Sequence, residues 1–179
     1  MKLRLVVSMV VLLTSVVWFG CSSSNAEKAG KSGATDLVDD FSNAAQSGHT
    51  INSNGRTWST FGGIAIKLTD HSIVATGDLV VWGGFVSEPG PNGENGTPIP
   101  VAGKSKLSIV CEGKATRIKV EFYDKKGDLY AVWFNPKDKK ATLDIKIPEA
   151  VKKGGVVSKL SFVMAPGKVD FTLYSITLK

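Results

Sequence analysis

The sequence predicts an all-β protein, an antiparallel β-sandwich of the jelly-roll type, from three observations. Downstream of Asp36 the chain consists of short runs in which apolar and polar residues alternate, as in strands with one buried face. Gly, Pro, Asn and Asp separate these runs, as expected of turns. Only PEAVKKGG (148–155) has the composition of a helical turn. Many short strands joined by turns are typical of sandwiches and jelly rolls.

The strands follow one another along the domain with little else between them. The predicted strand segments are RTWSTFGGIAIKL (56–68), SIVATGDLVVWGGFV (72–86), KLSIVCEG (106–113), TRIKVEFYD (116–124), LYAVWFN (129–135), ATLDIKIP (141–148), SKLSFVMAP (158–166) and VDFTLYSITLK (169–179). In TRIKVEFYD the alternation predicts one face with Ile118, Val120 and Phe122 and an opposite face with Arg117, Lys119, Glu121 and Tyr123. In ATLDIKIP it predicts that Leu143, Ile145 and Ile147 point inward.

The N-terminal segment has the proportions of an export signal. Lys2 and Arg4 precede an apolar run that ends at Gly20. This run is shorter than the roughly 20 apolar residues that a membrane-spanning helix requires, and it has the length of a signal-peptide core. The cysteine that follows, Cys21, resembles the lipidated first residue of mature bacterial lipoproteins. That resemblance implies a lipid anchor on Cys21 and, from Ser22, sorting to the outer membrane of the cell envelope. The alternative is an ordinary signal peptide and a secreted protein.

Three segments are therefore expected. Residues 1–20 form the signal peptide, and residues 21–35 form a lipidated cysteine with a flexible tether rich in Ser, Ala, Gly and Lys. Residues 36–179 form the β-sandwich domain. With lipid on Cys21, Cys111 is left without a disulfide partner, and its strand-like context predicts a buried structural thiol.

Composition and motifs argue against several functional classes. The formal charge of +6 comes from scattered lysines, so we expect no nucleic-acid partner. His49 and His71 lie in separate segments, and no cluster has the ligand spacing of a zinc site. Nucleophile-elbow and phosphate-loop patterns are missing from the sequence. We therefore expect a non-catalytic protein without a cofactor or a bound metal.

The opening and the end of the domain carry a family resemblance. DLVDDFSNAAQSGHTINSNGRTWSTFGG (36–63) resembles the start of galactose-binding-like jelly rolls, including family 11 carbohydrate-binding modules and the complex I intermediate-associated protein family. VVSKLSFVMAPGKVDFTLYSITLK (156–179) resembles their closing pair of strands. The resemblance implies carbohydrate recognition. In the family a structural calcium often bridges the first and last strands, but here Tyr174 stands where an aspartate is usual, so Asp39 and Asp40 lack that partner.

Sugar rings present apolar C–H faces that stack on exposed aromatic side chains, while polar groups hydrogen-bond the hydroxyls. The candidate carbohydrate-binding residues are Trp58, Trp82, Tyr123, Tyr130 and Trp133, with Arg56, His71, Glu88 and Asn92 as polar partners. Glu88 and Asn92 belong to a Gly- and Pro-rich loop (87–105) that is long enough to border a binding face. Each tryptophan has core packing as its alternative role.

Two functions remain open at this point. The first is a lipid-anchored protein that binds a polysaccharide or a cell-envelope glycan. The second is a scaffold in the cell envelope that binds another protein through an exposed sheet. A glycan-binding protein requires a trough with exposed aromatic side chains, whereas a scaffold would present a flatter apolar patch.

Overall fold

A computed structural model describes residues 36–89, 98–115 and 117–179. The predicted signal peptide, Cys21, the tether and Asn92 lie outside the described residues. The prediction of an all-β fold is confirmed, because the described residues form antiparallel sheets with one short helix. No helix within the described ranges is long and apolar enough to cross a membrane.

Two sheets make up the sandwich, and every pairing in them is antiparallel. The front sheet contains seven strands in the spatial order β11 (Leu129–Phe134), β10 (Ile118–Tyr123), β14 (Lys159–Met164), β7 (Gly83–Pro89), β4 (Arg56–Phe61), β3 (Thr50–Ser53) and β2 (Ala45–Ser47). The back sheet contains six strands: β12 (Ala141–Lys146), β9 (Lys106–Lys114), β15 (Gly167–Leu178), β6 (Ile73–Leu79) and β5 (Ala65–Leu68) in order, with β1 (Asp36–Asp39) also paired to β15.

The remaining elements lie outside the two large sheets. Strands β8 (Ile99–Pro100) and β13 (Val156–Val157) pair with each other. The predicted helical turn is confirmed as α1 (Glu149–Gly154), which ends at Gly155 in a left-handed conformation with φ of 76°. Glycine is favoured there because it adopts a positive φ without a Cβ clash.

Alternation along the strands decides which side chains fill the core. The predicted inward set of β10, Ile118, Val120 and Phe122, is buried, and so is Ile145 in β12. Aromatic rings from both sheets meet in the centre, where the ring centroids of Phe85 in the front sheet and Phe171 in the back sheet are 6.4 Å apart. Stacked and edge-on contacts of this kind add to the stability from apolar burial. The core cluster extends from Val38 to Leu178, so residues 36–179 have a complete core of their own.

Cys111 lies in this core as a free thiol, as predicted. It is fully buried, and burial raises the pKa of the thiol to about 12. The thiolate is the reactive form of cysteine, so this thiol is inert.

A buried carboxylate joins the start of the domain to the front sheet. Asp39 accepts hydrogen bonds from the Phe41 backbone N–H (2.9 Å), the Ser53 hydroxyl (2.7 Å) and the Trp58 indole N–H (3.1 Å). Burial is the main cause that raises the pKa of Asp39, and these hydrogen bonds oppose it. Three donors from separate segments satisfy a group that would be costly to bury alone.

Candidate functional site

The outer face of the front sheet carries a trough with a cavity volume of about 540 Å³. Its floor consists of Ser59, Val86 and Ser161, which are cross-strand neighbours on β4, β7 and β14. These side chains are small, whereas the residues around them are large, so the centre of the face is depressed. A cavity of this size is within the range of ordinary ligand sites.

Exposed aromatic side chains border one end of the trough. Trp82 is 46% exposed and Trp133 is 43% exposed, and their ring centroids are 5.6 Å apart. Phe61 lines the same end from β4. Gly62 has a φ of +68°, and a Cβ at this position would clash with the Trp82 carbonyl group. Glycine therefore allows the backbone that carries Trp82 to approach the end of β4 closely.

Cations hold the two indoles in place. The Lys119 ammonium lies 5.5 Å from the Trp82 ring centroid and 5.8 Å from that of Trp133. The Arg117 guanidinium lies 4.1 Å from the Trp133 centroid. Cation–π contacts of this type favour one orientation of each ring and leave part of each indole accessible to solvent.

One wall of the trough is a polar row along β10. Glu121 is only 6% exposed, its Oε1 atom is 2.6 Å from the Lys119 ammonium, and its Oε2 atom accepts a hydrogen bond from the Tyr123 hydroxyl (2.9 Å). Burial and the hydrogen bond to Glu121 raise the pKa of Tyr123 to about 12. The row therefore offers a fixed ammonium group, a carboxylate and a phenol that stays protonated at neutral pH.

Glu88 and Lys159 line the opposite end of the trough. The Lys159 ammonium is 5.5 Å from the centre of the Tyr123 ring. Lys119 and Tyr123 are four residues apart on one strand, which places their backbones about 13 Å apart. The trough is therefore longer than one pyranose ring, with aromatic side chains at both ends and hydrogen-bonding groups between them.

The structure brings four of the predicted site residues together. Trp82, Tyr123 and Glu88 line the trough, and Trp133 extends it through its contact with Trp82. Tyr130 and Trp133 lie on opposite faces of β11. Trp133 points outward, whereas Tyr130 packs against the core.

Other predicted site residues lie elsewhere, and Trp58 requires a correction. Its indole is fully buried between Phe41, Phe85 and Phe162, with its N–H bonded to Asp39, so it cannot stack on a sugar. The remaining three lie as follows: Arg56 is buried at the start of β4, Tyr130 is half-buried, and His71 lies exposed in the turn between β5 and β6 with a φ of 57°.

Sequence reasoning missed several residues that form the trough: Phe61, Lys119, Glu121, Lys159 and Ser161. A signal was available for two of them, because Lys119 and Glu121 alternate with core residues and share the outward face of Tyr123. No comparable signal marks the floor, since a small polar residue in a strand has no distinctive pattern.

The residues expected for a structural calcium do not fit one. Both carboxylate oxygens of Asp39 already accept hydrogen bonds, and Tyr174 donates its hydroxyl to Glu112 (2.6 Å). Calcium requires six to eight oxygen ligands. Within residues 36–89, 98–115 and 117–179, no three His, Cys, Asp or Glu side chains are grouped to hold a metal ion.

Several solved structures share this fold. A variant of the family 29 carbohydrate-binding module CBM29-2 complexed with mannohexaose has a TM-score of 0.59 at 12% identity, covering 81% of this chain and 90% of that chain. Another variant, complexed with cellulohexaose, has a TM-score of 0.59 at 11% identity and covers 81% and 89%. PfGH50B has a TM-score of 0.56 at 12% identity and covers 68% of this chain and 22% of that chain.

The sequence matches no protein-family model and no curated protein. At these identities the structural similarity establishes the β-sandwich fold, and function has to be argued from the site. The resemblance to family 11 modules and to the complex I intermediate-associated family stays a prediction.

Proposed function

We propose that this protein binds an extended glycan in the trough, without catalysis. The observation that carries the proposal is the exposed pair Trp82 and Trp133 at one end of a preformed trough, with Tyr123 near the other end. Sugar rings would stack on these side chains, and Lys119, Glu121 and the floor hydroxyls would hydrogen-bond their hydroxyl groups. The CBM29-2 complexes with mannohexaose and cellulohexaose support the same class of ligand.

Preorganisation supports the proposal on physical grounds. Glu121 is held by Lys119 and Tyr123 before any ligand arrives, so little side-chain freedom remains to be lost on binding. The floor is made of rigid strands in the middle of the front sheet rather than of loops. Sites built in this way keep their geometry when they are empty.

A binding assay tests the proposal. The purified domain (36–179) is titrated with mannohexaose and cellulohexaose and retained on insoluble polysaccharides, while tryptophan emission is recorded. We expect Trp133→Ala to weaken binding at least tenfold, which corresponds to about 1.4 kcal/mol. Leu37→Ala removes an equally exposed apolar side chain from β1 and should leave binding unchanged. Absence of binding to every glycan, with unchanged emission, would rule the proposal out.

We further propose that the protein acts in the cell envelope as an outer-membrane lipoprotein, anchored by lipid on Cys21. Support comes from the basic and apolar N-terminal pattern that ends at this cysteine. The domain would then be tethered near an envelope glycan, and tethering raises its effective concentration. In a bacterial host, Cys21→Ser should move the protein from the membrane fraction to the soluble fraction. Mass spectrometry that finds an unmodified Cys21 in mature protein would refute lipidation.

A further inference from the structure

One end of the sandwich presents an apolar surface to solvent. Three consecutive residues in the loop between β6 and β7 are exposed: Val80 by 92%, Val81 by 61% and Trp82 by 46%. Phe61, at the end of β4, is 38% exposed. We call these four residues the apolar tip. Single exposed apolar side chains are ordinary, whereas a contiguous group of them indicates an interaction surface.

The loop that carries the tip is fixed at both ends. Leu79 is buried and pairs with Gly167, and Gly83 pairs with Met164. Only residues 80–82 connect the back sheet to the front sheet, and the backbone of Gly62 packs against the backbone of Gly83 at the front-sheet end of this connection. Val80 and Val81 therefore remain exposed, because the connection is too short to fold back and pack them against the domain.

Basic side chains outnumber acidic ones at the end of the sandwich that carries the tip. The exposed cations that topology places at this end are Lys114, Arg117, Lys137, Lys139 and Lys168, and the exposed anions are Asp78, Asp138 and Asp170. Five cations and three anions leave this end with an excess of two positive charges. Arg117 contacts Trp133, which contacts Trp82, so a cation lies beside the apolar surface itself.

We propose that the apolar tip docks onto an anionic phospholipid bilayer. Val80 and Val81 would enter the boundary between headgroups and acyl chains, and the basic side chains would face lipid phosphates. Trp82, which also ends the glycan trough, would lie at the level of the headgroups when no sugar ring is stacked on it. Tryptophan and basic residues favour this interface. An acidic polysaccharide could neutralise the cations, but it offers no apolar environment to two adjacent valines, so the bilayer accounts for both features.

The tip lies far from the residue at which the chain enters the domain. Asp36 pairs with Leu178 at the end of β15, whereas the tip adjoins Gly167 at its start. Eleven residue steps along this strand correspond to about 36 Å. Docking by the tip would therefore be a membrane contact separate from the proposed lipid on Cys21, and it is tested on the domain that lacks that cysteine.

Vesicle co-sedimentation of the domain (36–179), which contains the complete core, tests the proposal. We expect binding to vesicles that contain phosphatidylglycerol, and much weaker binding to pure phosphatidylcholine. The double variant Val80→Ser/Val81→Ser should reduce the partition coefficient about tenfold or more. Leu37→Ser/Leu129→Ser removes two other exposed apolar side chains, 51% and 48% exposed, and should have no effect.

A second pair of variants tests the charge. Lys137→Glu/Lys139→Glu should weaken binding to anionic vesicles, whereas Lys125→Glu/Lys126→Glu, an equal change of charge at the opposite end, should weaken it much less. Binding should also fall as salt is added, because exposed charges are screened. Unchanged partition of the valine variant would overturn the proposal. Equal losses of binding in the two lysine variants would also overturn it. A third contrary result would be that the domain binds a soluble acidic polysaccharide and that Val80→Ser/Val81→Ser binds it equally well.

Discussion

Replacing Asp39 by alanine will lower the free energy of unfolding far more than the same change at its neighbour Asp40. Asp39 is fully buried and accepts three hydrogen bonds, from Phe41, Ser53 and Trp58. Alanine removes the acceptor for all three donors at once. The donors belong to the loop after β1, to β3 and to β4, so the loss loosens the start of the domain.

The magnitude can be estimated from these contacts. Each buried donor left without an acceptor costs about 1–3 kcal/mol. The three donors of Asp39 set an upper range of about 3–9 kcal/mol, but removing the carboxylate also relieves the cost of burying its charge, which the raised pKa reports. We expect a net loss of about 3 kcal/mol, a large fraction of an ordinary domain's stability of about 5–15 kcal/mol.

Urea unfolding followed by tryptophan emission measures this change, because Trp58 is buried only in the folded state. A loss of about 3 kcal/mol shifts the midpoint by about 1–3 M urea at a typical slope of about 1–3 kcal/mol per M. Asp40 bonds only the exposed Ser42, so Asp40→Ala should cost about 0.5 kcal/mol or less. Equal losses for the two variants would show that the buried carboxylate does not organise this region.

Three further predictions follow from the contacts of other residues. Glu121→Gln should lower the pKa of Tyr123 from about 12 toward its ordinary value of 10.0, visible in an ultraviolet titration of the phenol. Hydrogen bonds from Ser108, Lys179 and Lys106, in order of decreasing effect, lower the pKa of Asp144 from 3.8 to about 2. The ionised Asp144 therefore contributes its full stabilisation above pH 3.8, and this stabilisation is lost as the pH falls to about 2. Asp144→Asn should flatten that part of the curve of unfolding free energy against pH, by less than about 1 kcal/mol because the group is partly exposed. Gly62→Ala should destabilise the fold more than Gly48→Ala in urea unfolding, since both have a positive φ but only Gly62 has backbone atoms where the Cβ would lie.

The sequence predicted the fold class and the orientation of side chains in the strands with strict alternation. Ile118, Val120 and Phe122 are buried as expected, because a strand whose residues alternate between apolar and polar has only one face that can pack into the core. Residues in RTWSTF, the sequence of β4, gave no such signal. Polar side chains occupy both faces of β4, so its alternation does not show which face is inward. The direction of Trp58 depends instead on how β4 pairs with its neighbouring strands.

The candidate site is assembled by the order of the strands in the front sheet, which the alternation of apolar and polar residues does not predict. Trp82 and Trp133 are separated by fifty residues in sequence, yet the order β7, β14, β10 and β11 places them in contact. Long-range pairing of this kind leaves no local trace in the sequence. For the same reason, the Ser53 and Trp58 donors to Asp39 could not be foreseen, whereas the Phe41 N–H is a local donor two residues away.

Sequence by itself therefore determined that this chain forms an antiparallel sandwich, which residues of its regular strands are apolar and inward, and that Cys111 is buried. Tertiary structure decided which tryptophans reach solvent, where the trough lies, and that the apolar tip lies at an end of the sandwich where cations outnumber anions. The physical reason is that alternation is a property of neighbouring residues, whereas a surface is made by side chains that only strand pairing brings together.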